Sequence, residues 1–204
     1  MPDNETNNET RTLTPQNAGY YEGVTDVYYA LMTTMDGPAT APVYGTPAVA
    51  GKTIEIQVTP NYKEGKVYAS NVATRRENRV DSYTVSLNLD QIIPSVRKIL
   101  LGREEGADGV QLIKGNKSGP WVAILFAVTL DDDTKEYWVM YKGRFQEPNS
   151  THHTKNDGDS YQHPTIQATF VRLENNDALA AVASEADGSS AATSAWYESV
   201  YQPT

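Results

Sequence analysis

The three histidines of this 204-residue chain crowd one segment, His152, His153 and His163, with Asp157 and Asp159 between them. Imidazole and carboxylate together are the ordinary ligand set of a zinc or non-haem iron site. The spacing does not deliver one. Adjacent histidines cannot both chelate from a regular element, and neither an H-E-x-x-H nor a two-histidine, one-carboxylate pattern stands nearby. Asp131, Asp132 and Asp133 suggest calcium, but the run lacks the glycine and the distal glutamate of an EF-hand loop, and reads instead as a turn held in water. Glu104 and Glu105 are adjacent in a charged loop, a solvated cluster rather than an acid–base pair. There is no G-x-S-x-G elbow and no cysteine, and Gly115-Asn116-Lys117-Ser118-Gly119 is a turn carrying a lysine rather than a phosphate cradle. The expectation is a protein with no catalytic residues, no cofactor and no metal: not an enzyme.

Composition narrows the class further. The formal charge of −9 argues against nucleic-acid binding, whose affinity begins with cations neutralising phosphates. The absence of cysteine excludes disulfides and thiolate metal sites. The start MPDNETNNET has neither a cationic nor an apolar region, so no secretory signal is expected. Without one, the sequons at Asn4, Asn8, Asn116 and Asn149 read as chance in an Asn- and Thr-rich chain. The longest apolar run, Trp121 to Val128, is too short to span a bilayer. Thirteen tyrosines and three tryptophans favour sheet over helix.

The elements follow from periodicity. Ile54, Ile56 and Val58 alternate with Glu55, Gln57 and Thr59, and Tyr83, Val85, Leu87 and Leu89 with Ser82, Thr84, Ser86 and Asn88. Each pattern gives one wet face and one core face, as in antiparallel sheets. A turn around Asn61 to Gly65 is expected to lead into a short strand, Lys66 to Ser70. Trp121 to Val128 is apolar on both faces, and Asp131 to Thr134 turns it into Tyr137 to Phe145, with Tyr137, Val139, Tyr141 and Phe145 expected on one face. Val110 to Ile113 and Ala178 to Ala183 are further strand candidates. Ile166, Ala168 and Phe170 alternate with Thr165, Gln167 and Thr169. One helix is predicted after Asp90, read as its N-cap, with Pro94 in the first turn, Ile92, Val96, Ile99 and Leu100 on one face and Gly102 closing it. Trp196, Tyr197, Val200 and Tyr201 suit a short helix at i,i+4. The fold class expected is mainly β: an antiparallel β-sandwich or partly closed barrel with one flanking α-helix and extended terminal arms. Residues 1–22 form the N-terminal arm, 23–184 the domain and 185–204 the C-terminal arm.

Several of these segments resemble, in order, the major tail proteins that build the tail tube of long-tailed bacteriophages. Gly23 to Met32 is similar to that family's G-x-x-x-V-Y-Y-A-x-L strand, and Lys52 to Asn61 to its I-x-I-x-V-T-P-N strand. Lys142-Gly143-Arg144-Phe145-Gln146-Glu147-Pro148 resembles K-G-x-F-x-E-P, followed by Thr154-Lys155-Asn156-Asp157 and by Tyr161 to Phe170. Departures are Gly158 within the polar run, Ala168 where a glycine stands, and Asn71 to Arg76 where an acidic loop is expected. The resemblance implies a virion structural protein: a homo-oligomer of hexameric rings stacked into the tail tube, DNA passing through without specific binding. It also implies tape measure, tail terminator and baseplate proteins as partners, no membrane, and assembly in the host cytoplasm before residence in the virion tail. A carbohydrate-binding β-sandwich module is the alternative from another class, and a metal-dependent hydrolase using the histidine loop a second.

Two surfaces are assigned. The neutral polar residues Gln57, Thr59, Thr84, Ser86 and Asn88 are expected to face the lumen, where a wall without cations holds no phosphate. Thr151, His152, His153, Thr154, Lys155, Asp157 and Tyr161, with Trp196 and Tyr201 of the C-terminal arm, are expected at subunit or ring contacts. The loop from Asn149 to His163 exceeds a simple hairpin connection, and loops of that length usually carry a function or are disordered. Deleting Thr151 to Asp159 is therefore expected to leave the monomer's melting temperature nearly unchanged and to abolish polymerisation, read by thermal melts and electron microscopy.

Overall fold

The computed structural model describes residues 20–69, 72–149, 163–185 and 193–202. The first six strands are β1 (Tyr21–Val24), β2 (Val27–Thr34), β3 (Val43–Tyr44), β4 (Ala48–Gly51), β5 (Thr53–Ala69) and β6 (Val72–Leu89). Helix α1 (Pro94–Leu101) follows, then β7 (Glu104–Glu105), β8 (Gln111–Leu112), β9 (Val122–Leu130), β10 (Lys135–Gln146), β11 (Thr165–Val171) and β12 (Ala180–Ser184). Ten strands form one antiparallel sheet, ordered β3-β2-β9-β10-β11-β6-β5, with β1 beside β9, β12 beside β10 and β4 beside β2. The chain is thus mainly β with one short helix, and the sheet is not closed into a barrel.

The sheet turns on the β9–β10 hairpin, whose outer edges are each shared by two strands. Along β9, β2 pairs with Val122 to Leu125 and β1 with Val128 to Leu130. Along β10, β12 pairs with Glu136 to Met140 and β11 with Lys142 to Gln146. The sheet therefore forks, and β9 and β10 are buried on both faces. One face packs against Val85, Leu87 and Leu89 of β6, Ile166, Ala168 and Phe170 of β11, and Val96 and Leu100 of α1. The opposite face, with Leu125, Tyr137, Val139 and Tyr141, is covered by Leu173, Trp196 and Val200. This explains the unbroken apolar run of β9, which alternation alone would assign to no particular face.

Four expectations are corrected. Phe145 does not share a face with Tyr137, Val139 and Tyr141: the register shifts by one residue between Met140 and Gly143, so the pleat inverts and Phe145 joins Met140 in the first core. An extra residue of this kind is a β-bulge. No turn separates two strands at Asn61 to Gly65; β5 continues through them, paired with β6 from Thr53 to Ala69 with local register shifts. Pro60 is tolerated because β5 is the sheet's edge, where a missing N–H leaves no ladder bond unmade. Asp90 caps nothing: the helix N-cap is Ile93, without a side-chain hydrogen bond, and Pro94 opens the first turn. Residues 193–199 form successive turns rather than a regular helix. The C-terminal reading of α1 holds, since Gly102 has φ 64° and its N–H bonds back to Ile99.

The long β5–β6 hairpin leaves the body of the sheet. Its β11 partner reaches only as far as Ser82, so among the described residues the ladder from Tyr62 and Val80 to Ala69 and Val72 is formed by β5 and β6.

Gly143 lies opposite Phe170, and a Cβ there would come within 2.3 Å of the Phe170 ring. A glycine inside a strand often marks such a close approach. Gly143→Ala is expected to lower stability by about 2–3 kcal/mol by overpacking, with part of the loss recovered in the Gly143→Ala, Phe170→Leu double variant. Urea denaturation of the three variants checks this.

Candidate functional site

The motif Lys142 to Pro148 carries most of the resemblance, and in the structure its residues hold the fold together. Lys142 sits in the bulge, its side chain only 6% exposed, with Nζ 2.7 Å from Asp36 Oδ1 and 3.3 Å from Glu174 Oε1. The Glu174 N–H donates to the other Asp36 oxygen at 2.7 Å. Burial would raise the Asp36 carboxyl, but Lys142 and the Glu174 N–H outweigh it and hold its pKa below the usual carboxylate value. Arg144 lies over the Trp121 ring, 4.0 Å from its centroid, and Lys142 is 5.3 Å from the same ring. Phe145 is core, and Glu147 takes a two-pronged hydrogen bond from Arg103, at 2.8 and 2.6 Å, which depresses its pKa. Arg103 leads into the β7–β8 ribbon, where Lys114 and Lys117 both bond Glu104 and hold it down to about 2. The buried Lys142–Asp36 pair is absent from the sequence reading. Its only signal was a lysine directly after the apolar run Tyr137 to Tyr141.

The five residues assigned to the lumen come together. Gln57 lies opposite Ser86, and Thr59 opposite Thr84, in the β5–β6 ladder. On β11, Thr165 pairs with Asn88, Gln167 with Ser86 and Thr169 with Thr84, and Gln146 of β10 continues one row beyond Gln167. The result is a ladder of hydroxyls and amides across four strands on the face opposite Val85, Leu87 and Ile166. Asn61 Nδ2 donates to Ser82 and Thr84 at 3.2 and 3.0 Å, extending it toward the free end of the hairpin. Glu55, in the row of Asn88, places a carboxylate at the opposite end, and Arg144 of β10, opposite Thr169 in the row of Thr84, places a guanidinium beside the ladder, drawn over the Trp121 ring.

The loop residues Thr151, His152, His153, Thr154, Lys155, Asp157 and Tyr161 lie outside the described residues. His163 is described, with Nδ1 3.5 Å from the Asp90 carboxylate. Trp196 is placed inside its own subunit, where its ring packs on Tyr137 and its Nε1 donates to the Trp138 carbonyl. Tyr201 stacks on Trp196 at 5.9 Å and keeps an exposed side. Beyond Trp196, Glu185 accepts from Lys135 N–H and from the Tyr137 hydroxyl, whose pKa burial and this carboxylate push up to about 12. Among the described residues no group of three or more His, Asp or Glu is arranged to hold a metal. Each tryptophan packs within the chain, Trp121 under Arg144, Trp138 on Phe126 and Trp196 on Tyr137.

Fold and surfaces define a mainly β protein with a forked sheet, a predominantly uncharged polar face and a long β5–β6 hairpin. Residues 23–199 match the family model described as phage tail tube protein, and the chain belongs to that family. It is a structural protein of the phage tail, a virion component that assembles with other tail proteins into oligomeric tail structures. No curated protein matches the chain. Among solved structures, a chain of the anti-feeding prophage baseplate, determined by six-fold symmetrised cryo-EM, is similar at 11% identity and a TM-score of 0.29, over 83% of this chain and 96% of that one. No helix among the described residues is long and apolar enough to cross a membrane.

Removing one partner of a buried ion pair leaves the other charge uncompensated. Asp36→Asn is expected to lose about 3 kcal/mol at neutral pH, whereas Glu147→Gln, in a more exposed pair, loses under about 1 kcal/mol. Because the folded Asp36 pKa is depressed, its stabilisation is present above the ordinary aspartate pKa and disappears as pH falls through the lower folded value. The gap between wild type and Asp36→Asn should therefore close below about pH 4, as measured by denaturation across pH.

Proposed function

We propose that this chain is the subunit of the tail tube itself, forming hexameric rings stacked into a conduit through which DNA passes. The observation that carries the reading is the neutral ladder of Gln57, Thr59, Thr84, Ser86 and Asn88 with Thr165, Gln167 and Thr169. A surface made mainly of hydroxyls and amides stays hydrated and holds phosphates weakly, and the guanidinium in its Thr84 row, Arg144, is drawn over the Trp121 ring, so DNA moves past with little to retain it. The ladder lies on β5, β6 and β11, and β5 is an open edge able to pair with a neighbouring copy and continue the lining around a ring. Head-to-tail pairing of that kind closes into a ring when the rotation allows.

Tape measure, tail terminator and baseplate proteins are the partners at the inside and the ends of such a tube, and assembly takes place in the host cytoplasm. Thr151, His152, His153, Thr154, Lys155, Asp157 and Tyr161, with Trp196 and Tyr201, are assigned to contacts between subunits or rings.

The ladder is the part to test. Thr84→Lys, Ser86→Lys, Gln167→Lys tubes are expected to assemble, as seen by electron microscopy, and to release DNA several-fold more slowly at low salt than at high salt. Unchanged release from well-formed variant tubes would place the ladder elsewhere than the lumen.

A further inference from the structure

Lys142 and Asp36 are placed for more than an ion pair. Their contact joins the loop after β2 to the bulge of β10, and it is dry, with the two side chains 6% and 0% exposed. Nζ stands 2.7 Å from Oδ1. With a carbon–oxygen bond of about 1.2 Å, the carboxyl carbon lies no more than about 4 Å from that nitrogen. This is close to the separation from which an amine attacks a carbonyl. Oδ1 accepts no aligned hydrogen bond, whereas Oδ2 is held by the Glu174 N–H at 2.7 Å. The Glu174 carboxylate completes the group, accepting a hydrogen bond from Nζ at 3.3 Å. Trp121, its ring centroid 5.3 Å from Nζ, and the fully buried Tyr141 stand beside them.

These are a nucleophile, an electrophile and a proton carrier. An ion pair removed from water is costly, and one proton passing across the 2.7 Å contact converts it into an uncharged amine beside a carboxylic acid. A lysine amine is a nucleophile in that state. We infer that Lys142 and Asp36 condense into an intramolecular isopeptide bond, with Glu174 as the proton-relay residue.

In the step, Nζ attacks Cγ, and the negative charge gathering on Oδ2 is met by the Glu174 N–H already bonded to it. The Nζ–Cγ bond forms and the Cγ–Oδ1 bond breaks. Of the three ammonium protons, one has crossed directly to Oδ1 and a second reaches it through the Glu174 carboxylate. The third stays on the amide nitrogen, and Oδ1 leaves as water. The balance needs no oxidant, metal or cofactor. The product replaces two buried charges by a neutral amide, which favours it. It also gives a chain without cysteine a covalent tie between two distant strands, restricting the unfolded chain as a disulfide does. The bond belongs to the single subunit and does not depend on the tube reading.

The ion pair is the resting state, with Asp36 held ionised, so the bond forms slowly. The acid-labile stabilisation derived above belongs to the unlinked form, and the linked form keeps its advantage in acid. Intact mass spectrometry of wild-type protein aged at neutral pH is expected to show a species lighter by one water that grows with time. Trypsin should release from it a branched peptide in which Lys142 escapes cleavage and is joined to Asp36. Lys142→Arg, which keeps the charge but offers no such amine, should stay at its sequence mass. Glu174→Gln, altered at an exposed side chain, should fold as wild type and link about tenfold or more slowly. Linking should also slow as pH falls through the lowered Asp36 value, because the pair then gains a proton and the amine stays charged. Folded wild-type protein that keeps its full mass overturns the bond. So does a lighter species in which trypsin still cuts after Lys142, since the water has then left elsewhere, as in a succinimide at the Asp36-Gly37 step. A folded Glu174→Gln variant that links at the wild-type rate overturns the relay.

Discussion

A strand buried on both faces can serve two cores only if its pleat is interrupted somewhere. In this chain the interruption is the single extra residue that β10 carries between Met140 and Gly143. Before it, Tyr137 and Val139 face the C-terminal segment; after it, Phe145 faces α1 and β6. The bulge also marks the change of neighbour from β12 to β11, so the fork of the sheet and the inversion of the pleat occur together. Its irregular backbone is stabilised from the side by the Lys142–Asp36 ion pair, which ties β10 to the loop after β2. Gly143 then lets the Phe170 ring lie flat where any side chain would stand.

This arrangement gives the K-G-R-F-Q-E-P run its meaning. Lysine places a charge at the bulge, glycine admits an aromatic ring, arginine covers Trp121, phenylalanine enters the core and glutamate clamps Arg103. These are requirements of shape and charge within one subunit. The face assigned to the lumen is made of commonplace residues instead, threonine, serine, glutamine and asparagine, which carry information only through the face they share.

That difference decides what the sequence made legible. The alternations of residues 53–59, 82–89 and 165–170 could be read directly, because a strand with one wet face announces both its period and its orientation. The neutral ladder followed from them. The bulge was invisible, since Tyr137 to Phe145 keeps a plausible alternation whether or not an extra residue intervenes. Pro60, Asn61 and Gly65 are turn-forming residues by local preference, and only the edge position of β5 lets them lie in a continuous strand. An open groove between β1 and the start of β5, floored by Phe126 and Trp138, has no signature in the sequence, because its walls come from β1, β5, β9 and β10 and no local pattern encodes their meeting.

The pairing of β2 with β9 has a consequence for how the protein is made. Tyr28 lies opposite Leu125, about 100 residues later in the chain. At ordinary translation speeds of about 5 to 20 residues per second, β2 waits roughly 5 to 20 s for its neighbour to be synthesised. Throughout that interval Val27, Tyr29 and Leu31 have no core to enter. The β5–β6 hairpin, by contrast, needs only its own local sequence and can form as it leaves the ribosome. The order of synthesis therefore gives the hairpin its partner strand well before it gives the body its own. A host chaperone meeting the apolar N-terminal strands during that interval would set the supply of subunits competent to join a growing tail.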